Sequence, residues 1–177
     1  MKQTVKHKES ITMNSTMTAQ AAPVQAATAR DTERLHVDHA VAKRLGRWTS
    51  ASRFDARVRY GVLVLDLRSP DITGDVEIRL DLQRSTLKLL LAEGDQVDHW
   101  DLDWTGRGRV KDDQRPTGPG GRRVRLAGHA DTSEVRVHRG GMAMLSAMFS
   151  RAYVQDLRRA RKNGGYPTVD DPTRAAR

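Results

Sequence analysis

The sequence predicts an all-β core, a small parallel β-solenoid with a β-sandwich as the alternative, followed by a C-terminal α-helix. Three observations carry that prediction. Across residues 75–104, Val76, Ile78, Leu80 and Leu82 alternate with Asp75, Glu77, Arg79 and Asp81, and Trp100, Leu102 and Trp104 alternate with His99, Asp101 and Asp103. Side chains on a strand point to opposite faces in turn, so this spacing lays one apolar face on a common core. Residues 62–65 and 87–91 are instead almost continuously apolar, as expected of strands covered on both faces. Turn chemistry at Ser69-Pro70-Asp71, Thr73-Gly74-Asp75 and Glu93-Gly94-Asp95 cuts the chain into short pieces. Many short strands divided by turns suit a sandwich, barrel or solenoid. No fixed-length repeat separates these, although the Gly and Ser punctuation favours the solenoid.

The elements follow in order. Residues 1–30 are rich in Thr, Ala, Gln, Ser and Lys, with little bulky apolar content, and read as disordered. Residues 31–45 read as a short helical lead-in, with Asp38 as cap, Ala40, Val41 and Leu45 on one side and Gly46 as stop. Residues 46–141 form the β domain, entered through Trp48. Val58 and Tyr60 alternate with Arg57 and Arg59, Gly106 and Gly108 suggest a bend, and 112–121 reads as a mobile loop. Val124 with Leu126, and Val135 with Val137, supply the closing strands, separated by a turn over 128–133. Residues 142–164 are a helical segment: Met142, Leu145, Met148, Phe149, Ala152 and Tyr153 recur at helical spacing, Ser150 is a capping residue and Gly164 a terminator. Residues 165–177 read as a disordered tail.

The chain has 177 residues and a net charge of +9, which suits one domain with tails. The charge is uneven: +3 over residues 1–45, +2 over 46–141 and +4 over 142–177. A nearly neutral β domain is not the basic face that nucleic-acid recognition expects of a folded module. Cysteine is absent, so disulfides and thiolate metal sites are excluded and a reducing, cytoplasmic setting is the simpler expectation. No apolar run approaches the roughly 20 residues of a membrane helix, and no apolar stretch of signal-peptide type follows the N-terminal lysines.

Residues 46–141 resemble the C-terminal β domain of the LiaF-like family, the cell-wall-active antibiotic response proteins. The resemblance rests on Gly46-Arg47-Trp48, on the strand Tyr60-Gly61-Val62-Leu63-Val64-Leu65-Asp66-Leu67, on the paired segments 75–82 and 87–91, and on the closing segments 124–128 and 134–137. Ser85 and Ala92 stand where that pattern commonly has a turn glycine and a proline. The resemblance implies a small parallel β-solenoid, an interaction role associated with envelope stress or regulation, and no catalytic residues.

Chemistry-bearing motifs are sparse. Neither G-x-x-x-x-G-K-[ST] nor G-x-G-x-x-G occurs, no serine lies in a nucleophile-elbow pattern, and the glycine-rich 117–123 lacks a following lysine and helix. His99, Asp101 and Asp103 share a strand face by alternation, a conceivable metal set whose plainer reading is a solvated face. His36 and His39 would share a side of the lead-in helix, and His129 with Asp131 reads as turn chemistry. Trp48, Trp100 and Trp104 read as structural. No catalytic, metal or cofactor site is assigned. Met142, Met144, Met148 and Phe149 read by default as core packing of the helix on the β domain; the sharper reading makes them a candidate partner or self-association surface, because thioethers suit adaptable contacts. Arg151, Arg158, Arg159, Arg161 and Lys162 are candidate polyanion contacts, or cations placed to complement a helix dipole. The expected role is a non-catalytic interaction or scaffolding domain with a protein partner or self-association; the alternative is nucleic-acid binding through the basic helix.

Overall fold

The computed structural model describes residues 32–112, 114–117 and 120–174. Ten strands stack as parallel rungs: β1 Thr32–Asp38, β2 Val41–Arg44, β3 Arg53–Arg59, β4 Val62–Asp66, β5 Val76–Gln83, β6 Thr86–Leu91, β7 Gln96–Thr105, β8 Arg109–Asp112, β9 Arg123–Asp131 and β10 Glu134–Arg139. Odd-numbered strands build one five-stranded sheet and even-numbered strands a second. Each rung gives one strand to each sheet, and all pairs are parallel. The predicted parallel solenoid is therefore the fold. Leu35, Val58, Leu63, Leu65, Ile78, Leu82, Leu87, Leu89, Leu126 and Val135 point between the sheets and form the core.

The rungs do not stack in chain order. The sheets run β1-β3-β5-β9-β7 and β2-β4-β6-β10-β8, so the last rung, β9–β10, lies inside the one that precedes it. Two arginines, the half-buried Arg122 and the buried Arg139, pin this return. Arg122, just ahead of β9, donates to both oxygens of Asp95 and to the carbonyls of Ile72 and Leu67. Arg139, at the end of β10, donates to the Asp95 carbonyl and to the Asp112 carboxylate. Gly121 packs so closely on Gly94 that a Cβ would lie 1.7 Å from the Gly94 oxygen. Insertion of a rung also explains why no constant repeat is visible: Thr32 pairs with Arg53 and Arg53 with Glu77, but Glu77 pairs with Arg125.

The structure corrects four expectations. Residues 31–45 do not form a lead-in helix, because Leu35 and Val37 alternate inward on β1, paired with Ala56 and Val58 of β3. A short helix is marginal in isolation, and here a full ladder of strand bonds outcompetes it; among the described residues the solenoid thus begins at Thr32. The described part of 112–121 is anchored: Thr117 donates its amide to the Glu93 carbonyl at 2.9 Å, and Gln114 accepts from the Arg139 amide. The tail is not loose through residue 174. Asp156 accepts the amides of Thr168 and Val169, Arg68 donates to the Asp170 carbonyl at 2.7 Å, and Arg47 donates to that of Pro172. Its Pro, Thr and Asp content supplies turns and caps instead of disorder. Residues 128–131 continue β9, and the turn is confined to Thr132 and Ser133. The reading of 1–30 as disordered lies outside the described residues.

The C-terminal segment is two helices, α1 Gly140–Met148 and α2 Arg151–Asn163. Ser150 divides them: its Oγ accepts the Tyr153 amide at 3.0 Å and donates to the Ala147 carbonyl at 2.6 Å. Gly164, at φ 70°, ends α2 in the left-handed conformation that glycine adopts without a Cβ penalty. Among the described residues no helix is long and apolar enough to cross a membrane.

Candidate interaction surface

α1 lies on the outer face of the even-numbered sheet, where Ala143 and Ala147 pack against Val64 and Leu90. Those two strand residues explain the continuous apolar runs of β4 and β6, whose outer positions face a helix instead of water. The small alanine side chains let the helix approach closely. Its bulky residues consequently face away: Met142 is 48% exposed, Leu145 50%, Met148 38% and Phe149 82%. Of the predicted partner set, Met142, Met148 and Phe149 are on this outward face, Met144 is half-buried, and Leu145 joins them. Burying a side chain of this size is worth about 1.5–3 kcal/mol, so the orientation leaves considerable apolar burial unused. Lys43 donates to the Phe149 carbonyl at 3.0 Å and ties the end of α1 to β2.

α2 continues the pattern. Ala160 is buried and Tyr153 and Asp156 half-buried, whereas Val154 and Leu157 are exposed among Arg158 and Arg161. Among the described residues, Arg151, Arg158, Arg159, Arg161 and Lys162 make no ion pair. The helical layer therefore combines an uncovered apolar stripe with uncompensated positive charge.

The outer face of the odd-numbered sheet is the opposite kind of surface. Its outward residues form a grid in which Arg57 meets Asp81 at 2.8 Å, Arg53 meets Glu77 at 3.7 Å and Arg125 meets Asp101 at 2.8 Å. The Arg125 guanidinium holds one oxygen of the Asp101 carboxylate, Oδ2, through both Nε and Nη2, which bears on the His99–Asp101–Asp103 set. In addition, β7 carries a bulge between Asp98 and Asp101, where two residues oppose one on β9. Among the described residues no group of three or more histidine and carboxylate side chains is placed to hold a metal ion.

That bulge also overturns the structural reading of Trp100, which it turns out of the core to 93% exposure. Trp48 packs on Phe54 at 5.6 Å and donates its indole N–H to the Asp66 carbonyl at 2.7 Å, and Trp104 packs against the core. His36 and His39 share no helix side. His36 is on the exposed face of β1, while His39 is at the following corner, stacked on Tyr60 at 4.8 Å. His129 lies in β9, not in a turn, with Nε2 3.3 Å from Thr105 Oγ1.

Sequence reasoning missed the corner itself. His39, Tyr60, Arg84 and Thr132 occupy the same position in successive rungs, the first residue after the strand, and all four have φ between 44° and 49°. Their amides continue the ladder, as in Tyr60 to the Gln83 carbonyl and Arg84 to the Asp131 carbonyl. Each is followed by a small residue: Ala40, Gly61, Ser85 or Ser133. A Cβ at Gly61 would lie 2.5 Å from the Ala40 oxygen, and the Ser85 amide donates to Ser133 Oγ at 3.0 Å. A non-glycine residue followed by Ala, Gly or Ser, after the alternating stretches of β1, β3, β5 and β9, was the available signal. The open groove along this corner is lined by Tyr60, Arg84, Arg107, Arg109, Thr132 and Glu134, among others, and Glu134 is its one carboxylate. Lys111, at 2.7 Å, and next Arg136 and Arg109 hold Glu134 down to about 2 from an ordinary 4.5, so it is an ion-paired carboxylate and not a poised acid. Comparison with protein-family models, curated proteins and solved structures finds no match to this chain.

Proposed function

We propose that the protein is a non-catalytic interaction module, with a rigid solenoid presenting the outward face of α1 and the adjoining part of α2 to a protein partner. The observation that carries this is the inverted packing of α1, which buries Ala143 and Ala147 and leaves Met142, Leu145 and Phe149 outside. A contiguous apolar face rimmed by polar groups is the usual mark of a docking site, and flexible methionines accommodate an imperfectly matched partner. Arg158, Arg159, Arg161 and Lys162, which make no ion pair among the described residues, favour a partner segment that is acidic as well as apolar. The LiaF-like resemblance implies the same kind of role, placed in an envelope-stress or regulatory circuit. The test is a comparison of wild type with Leu145→Ser/Phe149→Ser. Both fold equally by circular dichroism, and only wild type retains a stoichiometric partner on affinity isolation from its native host. Equal retention by the two proteins refutes the reading.

The same unpaired cations support nucleic-acid binding as the second reading. It requires affinity that falls steeply with salt and is lost in Arg158→Gln/Arg159→Gln/Arg161→Gln. Affinity insensitive to these changes removes it.

A further inference from the structure

The helices cover the outer face of one sheet and leave the two ends of the solenoid open. Among the described residues, no strand pairs with the outer edge of β1 from Glu33 onward or with that of β7. Such edges carry unpaired N–H and C=O groups and are templates for another strand. Here the two edges are complementary to each other.

Continuing the rows of paired residues across a junction gives the match. One row runs Arg34, Asp55, Arg79, Ala127, Asp101, and the next residue in it would be Arg34 of a second copy. The following outward row, His36, Arg57, Asp81, His129, Asp103, would meet His36 of that copy. The rows between them point inward and are apolar at both ends, so Leu102 would meet Leu35 and Trp104 would meet Val37. In the second sheet Val110 would meet Ala42, and Arg44 would meet Asp112, whose carboxylate Arg139 already holds. Lys111 would face Lys43, but Glu134 and the Phe149 carbonyl already hold these two. Glu33, inward by alternation, and the bulge at His99–Trp100 are opposed at the start of the strands, so the match begins at Arg34 and Asp101.

We infer that the chain self-associates head to tail, the β1–β2 end of one copy adding in parallel to the β7–β8 end of another through Arg34–Asp101 and His36–Asp103 contacts. The contact joins two different surfaces and does not close on itself, so growth is open-ended. This surface is separate from the helical face and does not depend on the role assigned to it.

The experiment is light scattering of the full chain over a range of concentrations, with electron microscopy of the largest species. Wild type is expected to grow beyond a dimer as concentration rises, with Trp100 emission shifting to the blue as this end is covered. Arg34→Asp or Asp101→Arg, each alone, weakens association by roughly tenfold or more through like-charge contact. Mixing the two variants restores growth, since each supplies the end the other lacks. A monomer at every concentration overturns the inference, as does growth that survives each reversal made alone. A discrete dimer abolished by Phe149→Ser also overturns it, by assigning association to the helical face.

Discussion

The two outer faces of this solenoid differ in how completely they are finished. On the odd-numbered sheet, Arg53, Arg57 and Arg125 meet Glu77, Asp81 and Asp101 from neighbouring strands. That face is solvated, compensated and in no need of a cover. On the even-numbered sheet, Val64 and Leu90 require a cover, and α1 provides it with its smallest side chains. The requirement for burial is thereby passed outward to Leu145 and Phe149. One face ends at the strand; the other ends at a helix whose bulky side chains stay exposed. Stability resides in the rungs and in the Arg122 and Arg139 ion pairs, and the proposed interaction face lies on the helical layer, so mutations should separate the two.

The largest effect is expected at Arg122, where β9 returns into the stack. Arg122→Ala removes the guanidinium from Asp95, whose side chain is 3% exposed, and frees the carbonyls of Leu67 and Ile72. Leaving a buried charge unpaired costs about 3–5 kcal/mol, and chemical denaturation should show a loss of that order. The rung order sharpens the point. Without β9, the strand β7 has no partner in its sheet, so a chain ended after residue 121 should lose hydrogen-exchange protection over 96–105 as well as the deleted strands. Protection that persists there would mean that β7 can pair directly with β5.

The next effect tests the helix–sheet contact. Ala143→Met inserts a long side chain where α1 approaches Val64 and Leu90, and overpacking of this kind costs about 1–3 kcal/mol. Leu145→Ser on the opposite side of the same helix should change stability by about 0.5 kcal/mol or less. If the two substitutions cost the same, α1 is not packed through its alanines and the contrast between the faces fails.

How much of this was legible follows from which interactions are local. Alternation over 76–82 and the continuous runs of 62–65 and 87–91 report burial directly, so the sheets and their two-sided strands could be read. Ser150 and Gly164 act on their own neighbours and were readable as a cap and a stop. The rung order was not, because it depends on Arg122 reaching Asp95 and on Gly121 fitting against Gly94, contacts between distant segments. Residues 31–45 fit a helix locally and became strands only because β3 offered a pairing edge. At α1 the spacing of Met142, Leu145 and Phe149 correctly gave a stripe, but a stripe does not say which way it faces. The alanines at 143 and 147 decided that. Trp100 was misplaced for a smaller reason: one extra residue in a strand reverses its side, and a bulge has no compositional signature here.

The smallest effect lies where the even-numbered sheet emerges from under the helix. Glu134 is held down to about 2 from 4.5, chiefly by Lys111 and then by Arg136 and Arg109. A carboxylate with a depressed folded-state pKa stabilises the fold above its unfolded value, and that contribution disappears as pH falls from about 4.5 through about 2. Lys111, Arg136 and Arg109 are all partly solvent-exposed, so screening limits the gain to about 1 kcal/mol or less. Glu134→Gln should therefore lower the thermal midpoint slightly at neutral pH and leave it unchanged relative to wild type near pH 2. The difference between the two midpoints should close over that acid interval. A difference that stays constant down to pH 2 would mean that Glu134 contributes through packing and neutral hydrogen bonds, and that this edge belongs with the alanine-packed face, not with the charged one.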